Sequence, residues 1–195
     1  MLSESGDVQV RAGVEADLPA LTELYNHYIR ETSITFDTEP FTPERRRPWL
    51  LSHPKDGPHR LLVARAAGPS HGEAGPLLGY ATSSAFRPKA AYAPSVEVTV
   101  YCAPHAAGRG IGTLLYQALF EALATEDVHR AFAGIAQPNE ASHRLHTRFG
   151  FRPIGTYTEV GRKFGRYWDV TWYQKDLNGD VNGDGHGGGE DGGRG

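Results

Sequence analysis

The chain lacks several features that would place it outside the class of ordinary globular proteins. Its 195 residues include a single cysteine, Cys102, so no internal disulfide framework can form. No apolar run reaches membrane-spanning length, and the start M-L-S-E-S-G-D has neither the basic nor the apolar region of a signal peptide. With 39% hydrophobic residues the chain can bury one full core. We therefore expect a soluble, cytoplasmic domain with no membrane partner.

Excess charge is also missing from most of the chain. Residues 178–195 carry a net charge of −3, which equals the net charge of the whole chain, so residues 1–177 balance at zero. A balanced domain lacks the basic footprint of a nucleic-acid-binding protein. Because 178–195 is rich in glycine with little to bury, we expect a disordered tail there, a flexible segment at 1–7 and one domain over 8–177.

A strand, a glycine-rich turn and a helix follow one another between Ser95 and Glu126. β-branched residues alternate with polar residues in S-V-E-V-T-V-Y-C, as in a strand. Apolar residues at helical spacing follow the turn H-A-A-G-R-G-I-G. Gly108, Gly110 and Gly112 lack a Cβ and let a ligand approach the backbone N–H groups. The first turn of the helix adds unpaired donors and a partial positive charge, so this corner predicts a phosphate site.

The residues of the corner exclude two common phosphate-binding loops. A P-loop needs a lysine, which this stretch lacks, and a dinucleotide fingerprint needs a third glycine where Thr113 stands. The remaining pattern resembles the coenzyme A pyrophosphate loop, [Q/R]-x-x-G-x-[G/A], of the GCN5-related N-acetyltransferases. Its glycines fall on Gly110 and Gly112. Ala107 replaces the usual Gln or Arg, and Arg109 is a candidate for the lost contact.

Glu97 stands in the middle of the predicted central strand, on the face of Ser95, Thr99 and Tyr101. At such a position a glutamate is ordinarily a residue of the solvent-exposed face of a sheet. Its position alone favours neither this structural interpretation nor a catalytic one. The coenzyme loop that follows favours a general base that takes a proton from an attacking amine, directly or through one water. Burial would raise the pKa of this carboxyl group toward neutrality, as that role requires.

A second motif follows the next predicted strand, Val128 to Ala136. The sequence P-N-E-A-S-H-R-L-H-T-R-F-G-F resembles the family motif N-x-x-S-x-x-L-Y-x-x-x-G-F. The matching residues are Asn139, Ser142, Leu145, Gly150 and Phe151. His146 replaces the family's tyrosine, often the acid that protonates the departing thiolate, and a histidine can do this near pH 7. A metal held by His143 and His146 is disfavoured because no third ligand follows at suitable spacing, and a core histidine remains an alternative.

Loops before the central strand supply candidates for an acceptor pocket. Phe36, in T-S-I-T-F-D-T-E-P, either packs into the hydrophobic core beneath the loop or forms a wall of the acceptor pocket. The first case is the commoner one for an aromatic residue in a loop. Arg87 and Lys89 lie in F-R-P-K-A-A-Y, beside Tyr92, on a loop that runs into the strand of Glu97. Loop cations usually only solubilise, but here they would suit an acidic substrate.

Other signals give the rest of a mixed sheet. A first strand at Val8 is followed by a helix that Asp17 or Glu15 can cap, and later strands predict an antiparallel half leading into a parallel half. Thr42 begins a second helix, and we expect its arginine run, 45–47, to be a solvated face.

A terminal hairpin closes the predicted domain around G-R-K-F-G-R. Arg162 and Lys163 fall at its tip, where a solvated turn is expected.

Five segments together resemble one subfamily, the phosphinothricin and methionine sulfoximine N-acetyltransferases, over about Val8 to Leu177. They are F-D-T-E-P, F-R-P-K-A-A-Y, V-E-V-T-V-Y, P-N-E-A-S-x-x-L-H and G-R-K-F-G-R-Y-W-D-V. The resemblance implies an α/β (α+β) fold whose mixed central sheet is splayed at the acetyl-CoA site and flanked by helices. It also implies a homodimer that acetylates the α-amine of phosphinothricin or a related amino acid, a detoxifying reaction.

The resemblance assigns roles residue by residue, with no metal. Glu97 is the implied base and His146 the implied acid. The residues implied to bind acetyl-CoA are Val100, Tyr101, Cys102, Gly108, Arg109, Gly110, Ile111, Gly112, Thr113, Asn139 and Ser142. Those implied to lie near the acceptor are Phe36, Arg87, Lys89 and Tyr92.

Two alternatives remain open at this point. The same fold could act on another amine, such as a protein N-terminus, a polyamine or an aminoglycoside, although Arg87 and Lys89 argue against a polycation. The chain could also be a non-catalytic acetyl-CoA-binding module, which Glu97 and His146 argue against.

Overall fold

A computed structural model describes residues 4–5, 8–68 and 74–177. The predicted disordered tail at 178–195 lies outside the described residues, as do most of the predicted flexible segment at 1–7 and residues 69–73.

The described residues form eight strands and four α-helices. The strands are β1 (Glu4–Ser5), β2 (Val8–Ala12), β3 (Leu61–Ala67), β4 (Ala74–Ala85), β5 (Ser95–Cys102), β6 (Arg130–Ala136), β7 (Arg152–Lys163) and β8 (Arg166–Asp176). The helices are α1 (Leu18–Glu31), α2 (Pro43–Leu51), α3 (Ile111–Leu123) and α4 (Glu140–Arg148). From β2 onward the order matches the order predicted from the sequence, whereas β1 was not predicted, because it lies in the segment expected to be flexible.

All strands belong to one mixed sheet with the order β1-β2-β3-β4-β5-β6-β8-β7. Strands β5 and β6 are parallel neighbours, whereas the other neighbouring pairs are antiparallel. The β5–β6 pairing joins only residues 95–97 to residues 130–132, and beyond that point the two strands separate. This confirms the predicted mixed sheet with a splay in its middle.

Helices cover both faces of the sheet. In β4, Gly79 faces α3, because a Cβ built on it would lie 3.2 Å from Leu115 Cδ1. The next residue, Tyr80, points to the opposite face, where its ring packs on Trp49 of α2 and on Tyr101 of β5. Helices α1 and α2 therefore cover one face of β4 and β5, and α3 covers the other.

Asp17 occupies the N-cap position of α1, but its side chain makes no capping hydrogen bond, and Glu15, the other predicted cap, pairs with Arg47. The buried carboxylate of Asp17 accepts hydrogen bonds at 2.7 to 2.9 Å from the side chains of Arg11 and Arg65 and from the backbone N–H of Val14. Although burial acts to raise the pKa of Asp17, these donors lower it. The carboxylate thus joins α1 to β2 and β3 instead of capping its own helix.

Two cations that were expected in solvent are buried, which corrects both predictions. Thr42 caps α2 as predicted, with its hydroxyl accepting from the N–H of Arg45, but Arg46 is only 5% exposed because this side of α2 faces the sheet. Lys163, also 5% exposed, donates from Nζ to Thr35 O at 2.7 Å. The terminal hairpin therefore folds against the segment between α1 and α2, and burial lowers the pKa of Lys163.

Candidate functional site

A cavity of about 420 Å³ occupies the splay between β5 and β6. Its walls come from β5, the glycine corner, β6 and α4. Ten of the eleven residues predicted to bind coenzyme A line it: Val100, Tyr101, Cys102, Gly108, Gly110, Ile111, Gly112, Thr113, Asn139 and Ser142. Arg109 is exposed and is not part of the lining. Residues that are distant in the sequence thus meet around one space.

The glycine corner presents free amide donors to this cavity. Gly108 and Gly110 have φ angles of 75° and 76°, in the left-handed region that favours glycine. Leu114 is the first amide of α3 to donate to a backbone carbonyl, that of Gly110, at 3.1 Å. The amides of residues 111–113 have no backbone acceptor among the described residues, and the Gly112 N–H points at the thiol sulfur of Cys102, a weak acceptor. A helix N-terminus with free donors beside an open cavity suits a pyrophosphate.

The inner edge of β5 supplies further backbone groups. Ser95 O and Ala103 N bond to the β4 side, at Phe86 N and Leu78 O. The residues between them alternate, so Val98 and Val100 turn their N–H and C=O groups toward the splay. No strand pairs with them there in the described part of the chain. This edge can bond an extended amide-bearing chain.

The loop before α4 and the start of α4 complete the far wall. Asn139 caps α4, since its side-chain oxygen accepts from the N–H of Ser142 at 3.1 Å. The cap fixes where both residues stand relative to the cavity. Of the residues in this motif, Leu145 also touches the glycine corner, as a Cβ on Gly112 would lie 3.1 Å from its Cδ2.

Glu97 lies beside this cavity, on the sheet face that α1 and α2 cover. It pairs in register with Ser84 of β4 and Phe132 of β6. Its side chain is 36% exposed, and Oε2 lies 3.9 Å from the guanidinium of Arg87. Burial raises the pKa of Glu97 and Arg87 partly offsets this effect. Thr99, which follows on the same face, lines the cavity, so a half-buried carboxylate stands next to the splay.

The predicted acceptor residues do not all come together. The Arg87 guanidinium lies over the ring of Phe86, 4.1 Å from its centroid, and close to Glu97. Tyr92 packs edge-on against Phe86 at 6.0 Å but is 44% exposed. Lys89 is exposed on the same loop, and no described contact brings it to Glu97.

Phe36 is half-buried and packs on the backbone of β7. A Cβ on Gly161 would lie 2.5 Å from Cζ of its ring and closer still to two other ring carbons. The next residue toward α1, Thr35, holds Lys163 through its carbonyl. Phe36 therefore joins the segment between α1 and α2 to the terminal hairpin, which is compatible with either predicted role.

His146 is 3% exposed and borders the cavity. Its Nδ1 lies 2.7 Å from Ser142 O, and its Nε2 lies 2.8 Å from the hydroxyl of Tyr116. Since a carbonyl only accepts, Nδ1 carries the proton and Nε2 accepts from the tyrosine. Burial lowers the pKa of His146, so the ring is neutral. The ring therefore offers no proton to the cavity unless the bond from Nδ1 to Ser142 O breaks.

His143, the other histidine considered for a metal, bonds through Nδ1 to the Tyr173 hydroxyl at 2.8 Å. Residues 4–5, 8–68 and 74–177 contain no group of three or more side chains arranged to hold a metal ion. Within the same residues, no helix is long and apolar enough to cross a bilayer.

Sequence reasoning missed a second cavity of about 230 Å³, on the face of the sheet that carries Glu97. Arg46 and Trp49 of α2 line it together with Thr99 and Tyr101, which also line the splay. A signal was available, because Arg46 stands three residues before Trp49 and four before Leu50, on one side of the helix.

Comparison with known proteins agrees with this geometry. The Acetyltransferase (GNAT) family matches residues 21–151. The phosphinothricin N-acetyltransferase of Streptomyces coelicolor is 71% identical over 173 residues, which cover 89% of this chain and 98% of that protein. The L-methionine sulfoximine/L-methionine sulfone acetyltransferase of Pseudomonas aeruginosa is 36% identical over 167 residues, 86% of this chain and 92% of that one.

A solved structure has the same fold. The phosphinothricin acetyltransferase of Sinorhizobium meliloti, in complex with AcCoA, superposes with a TM-score of 0.80 at 28% identity, covering 91% of this chain and 92% of that chain. The matched family segment contains β5, the glycine corner and α4, which build the cavity. The chain therefore belongs to the GNAT family of acetyltransferases.

Proposed function

We propose that this protein transfers the acetyl group of acetyl-CoA to the α-amine of phosphinothricin or of a related amino acid such as methionine sulfoximine. The observation that carries the proposal is the meeting of two features at the splay. A cavity with free amide donors lies beside a half-buried carboxylate that has a raised pKa and a cation next to it. The named relatives supply the acceptor class.

The chain's own groups can hold acetyl-CoA, which supplies an acetyl thioester when bound. The amides of residues 111–113 would receive the pyrophosphate, and the edge of β5 at Val98 and Val100 would bond the pantetheine amides. An N–H group of the same edge can stabilise the negative charge that develops on the acyl oxygen. Tyr28 fixes this edge, since its hydroxyl donates to Cys102 O at 2.7 Å.

Glu97 would act as the general base. Its pKa is raised by burial, so the carboxylate can accept a proton from the acceptor's ammonium, directly or through one water, near neutral pH. Arg87, 3.9 Å away, can pair with the carboxylate on the acceptor's α-carbon, which places the amine next to Glu97. Lys89 and Tyr92 stay candidates for the rim of this pocket.

The acid role of His146 stays a prediction. To protonate a departing thiolate, the neutral ring would have to release Ser142 O, because its one N–H is on Nδ1. A ring that keeps both bonds would instead hold α4 against α3 at the cavity wall.

An acceptor panel tests the proposal. Free coenzyme A release from acetyl-CoA is measured with phosphinothricin, methionine sulfoximine, spermidine and a short peptide. We expect saturable turnover with the first two. Turnover with only spermidine or the peptide would leave an acetyltransferase for another amine, and coenzyme binding without any turnover would identify a non-catalytic module.

We also propose that the protein is a cytoplasmic homodimer, as the resemblance implies. A second copy would cover the terminal hairpin, where Tyr157, Val160, Phe164 and Tyr167 are each more than half exposed and β7 forms the edge of the sheet. Light scattering on the purified protein should give twice the monomer mass, and a monomer at assay concentrations would refute the dimer.

Cell fractionation tests the location, and growth of producing cells on phosphinothricin tests detoxification.

A further inference from the structure

The second cavity, about 230 Å³ in volume, lies between helix α2, the segment after α1 and the face of β4 and β5. Several of its lining residues are aromatic, and the buried Arg46 lines it with them. The coenzyme cavity lies in the splay between β5 and β6, and Thr99 and Tyr101 of β5 line both cavities. The second cavity therefore adjoins the groups expected to hold acetyl-CoA, while its other walls come from α2, β4 and the segment after α1.

Arg46 is a buried cation held by aromatic rings and by hydrogen bonds to neutral groups. Its guanidinium carbon lies 4.0 Å from the ring centroid of Tyr25 and 4.1 Å from that of Trp49. It donates to Leu21 O at 3.2 Å and to the Tyr80 hydroxyl at 2.9 Å. Among the ion pairs of the described residues, none involves Arg46. A guanidinium has five N–H donors, so part of its capacity is unused.

The neighbouring titratable groups do not cancel this charge. Burial raises the pKa of Tyr80 to about 12, although Arg46 acts against the shift, and burial also raises the pKa of Tyr25. Both are neutral at pH 7. Asp37, at the rim, accepts a hydrogen bond from the Tyr25 hydroxyl, and the exposed Arg45 lies at the same rim. The rim charges oppose one another, so the pocket keeps the positive charge of Arg46.

The pocket adjoins the proposed base. Ser84, one of its lining residues, pairs in register with Glu97, and Thr99 lies next to Glu97 on the same face of β5. An acceptor whose amine lies at Glu97 and whose carboxylate lies at Arg87 would extend its side chain along this face. Phosphinothricin carries an anionic phosphinate at the end of a short methylene chain, whereas the side chain of methionine sulfoximine is neutral.

We propose that Arg46 is a specificity-determining residue that binds an anionic side-chain group of the acceptor, leaving Arg87 to bind the α-carboxylate. The inference rests on the proposed function and deepens it. It commits the second cavity to a phosphinate or a similar tetrahedral anion. A buried, weakly hydrated guanidinium is suited to such a group because it pairs with two of its oxygens at once.

The test compares two acceptors in variants of one helix. Arg46→Met removes the charge, Arg46→Lys keeps it as a point charge, and Arg47→Met is the matched control, since Arg47 pairs with Glu15 at the surface. We expect Arg46→Met to raise the KM for phosphinothricin about 10- to 100-fold, as for the loss of a charge-assisted hydrogen bond, with a much smaller change for methionine sulfoximine. The KM of Arg46→Lys for phosphinothricin should lie between those of the wild type and Arg46→Met. Arg47→Met should have the wild-type KM for both acceptors.

Equal losses for the two acceptors in both Arg46 variants would overturn the proposal and leave Arg46 a structural residue. A wild-type experiment keeps the question open to refutation if the variants do not fold. Dimethylphosphinate should inhibit phosphinothricin acetylation competitively, while neutral dimethyl sulfone should not, and equal inhibition by the two would contradict an anion pocket. Wild-type protein that acetylates neither amino acid would refute the proposed function itself, which is a different result.

Discussion

Replacing Gly161 by alanine would disturb the contact between β7 and Phe36. The new Cβ would lie 2.5 Å from Cζ of the phenyl ring and closer to two other ring carbons, so the ring must move by about 1 Å or more to reach an ordinary carbon contact of about 3.5–4 Å. Overpacking of this kind costs about 1–3 kcal/mol. For a chain of 195 residues, this corresponds to a fall in Tm of about 2–12 °C.

The same displacement tests whether Phe36 forms a wall of the acceptor pocket. If it does, Gly161→Ala raises the KM for the acceptor and leaves the KM for acetyl-CoA unchanged, because Phe36 is not among the residues that line the splay. Gly155→Ala on the same strand is the matched control, since a Cβ there meets nothing within 4 Å.

Thermal unfolding and steady-state kinetics measure both effects. Combining Phe36→Leu with Gly161→Ala should recover part of the lost Tm, because the smaller side chain relieves the clash. A Gly161→Ala protein with wild-type Tm and wild-type KM values would refute the reasoning. A lowered Tm with an unchanged acceptor KM would leave Phe36 a core residue.

Three further substitutions probe the site and its support. Arg87→Met should move the acidic limb of the pH profile of kcat/KM to higher pH. Burial then raises the pKa of Glu97 with no cation to oppose it, and Glu97 must be unprotonated to act as the base. An acidic limb that stays in place or moves to lower pH contradicts this. Asp17→Asn should lower the free energy of unfolding by about 3–5 kcal/mol, because it leaves Arg11 and Arg65 around a neutral group. Urea unfolding measures this loss. Glu23→Gln, which breaks the exposed pair with Arg30, is the control and should cost less than about 1 kcal/mol. His146→Gln should lower Tm and change kcat by less than about tenfold, because both ring nitrogens of His146 already form hydrogen bonds inside the protein. A loss of about 100-fold in kcat at normal stability would instead identify His146 as the acid.

The sequence predicted the elements whose pattern is local. The alternation in Ser95–Cys102 and the glycines at 108, 110 and 112 each depend on neighbouring residues, and the structure confirms the strand and the corner. The cap at Asn139 was not predicted, although it too is a local pattern. The splay was expected only from the family resemblance. Its physical cause is the short β5–β6 pairing, which ends at Glu97 and Phe132.

Tertiary contacts explain what local patterns could not give. Arg46 and Lys163 looked like solvated cations because their immediate neighbours are polar, but each is buried by a segment distant in the chain. Asp17 has the residue type of a helix cap, yet the cations of β2 and β3 take its carboxylate. The second cavity also arises from such contacts, and its local signal in the sequence is the position of Arg46 on the side of α2 that carries Trp49 and Leu50.

The most direct test of the account is a comparison of wild-type protein with Glu97→Gln. The amide keeps the size of the side chain beside Arg87 but cannot accept the proton of the amine. Acetyl-CoA binding is measured by calorimetry, and coenzyme A release with phosphinothricin is followed as a function of pH. We predict near-normal binding, a fall in kcat of about 100-fold or more, and loss of the acidic limb of the profile. An unchanged kcat across the pH range would remove Glu97 from the mechanism and contradict the central claim.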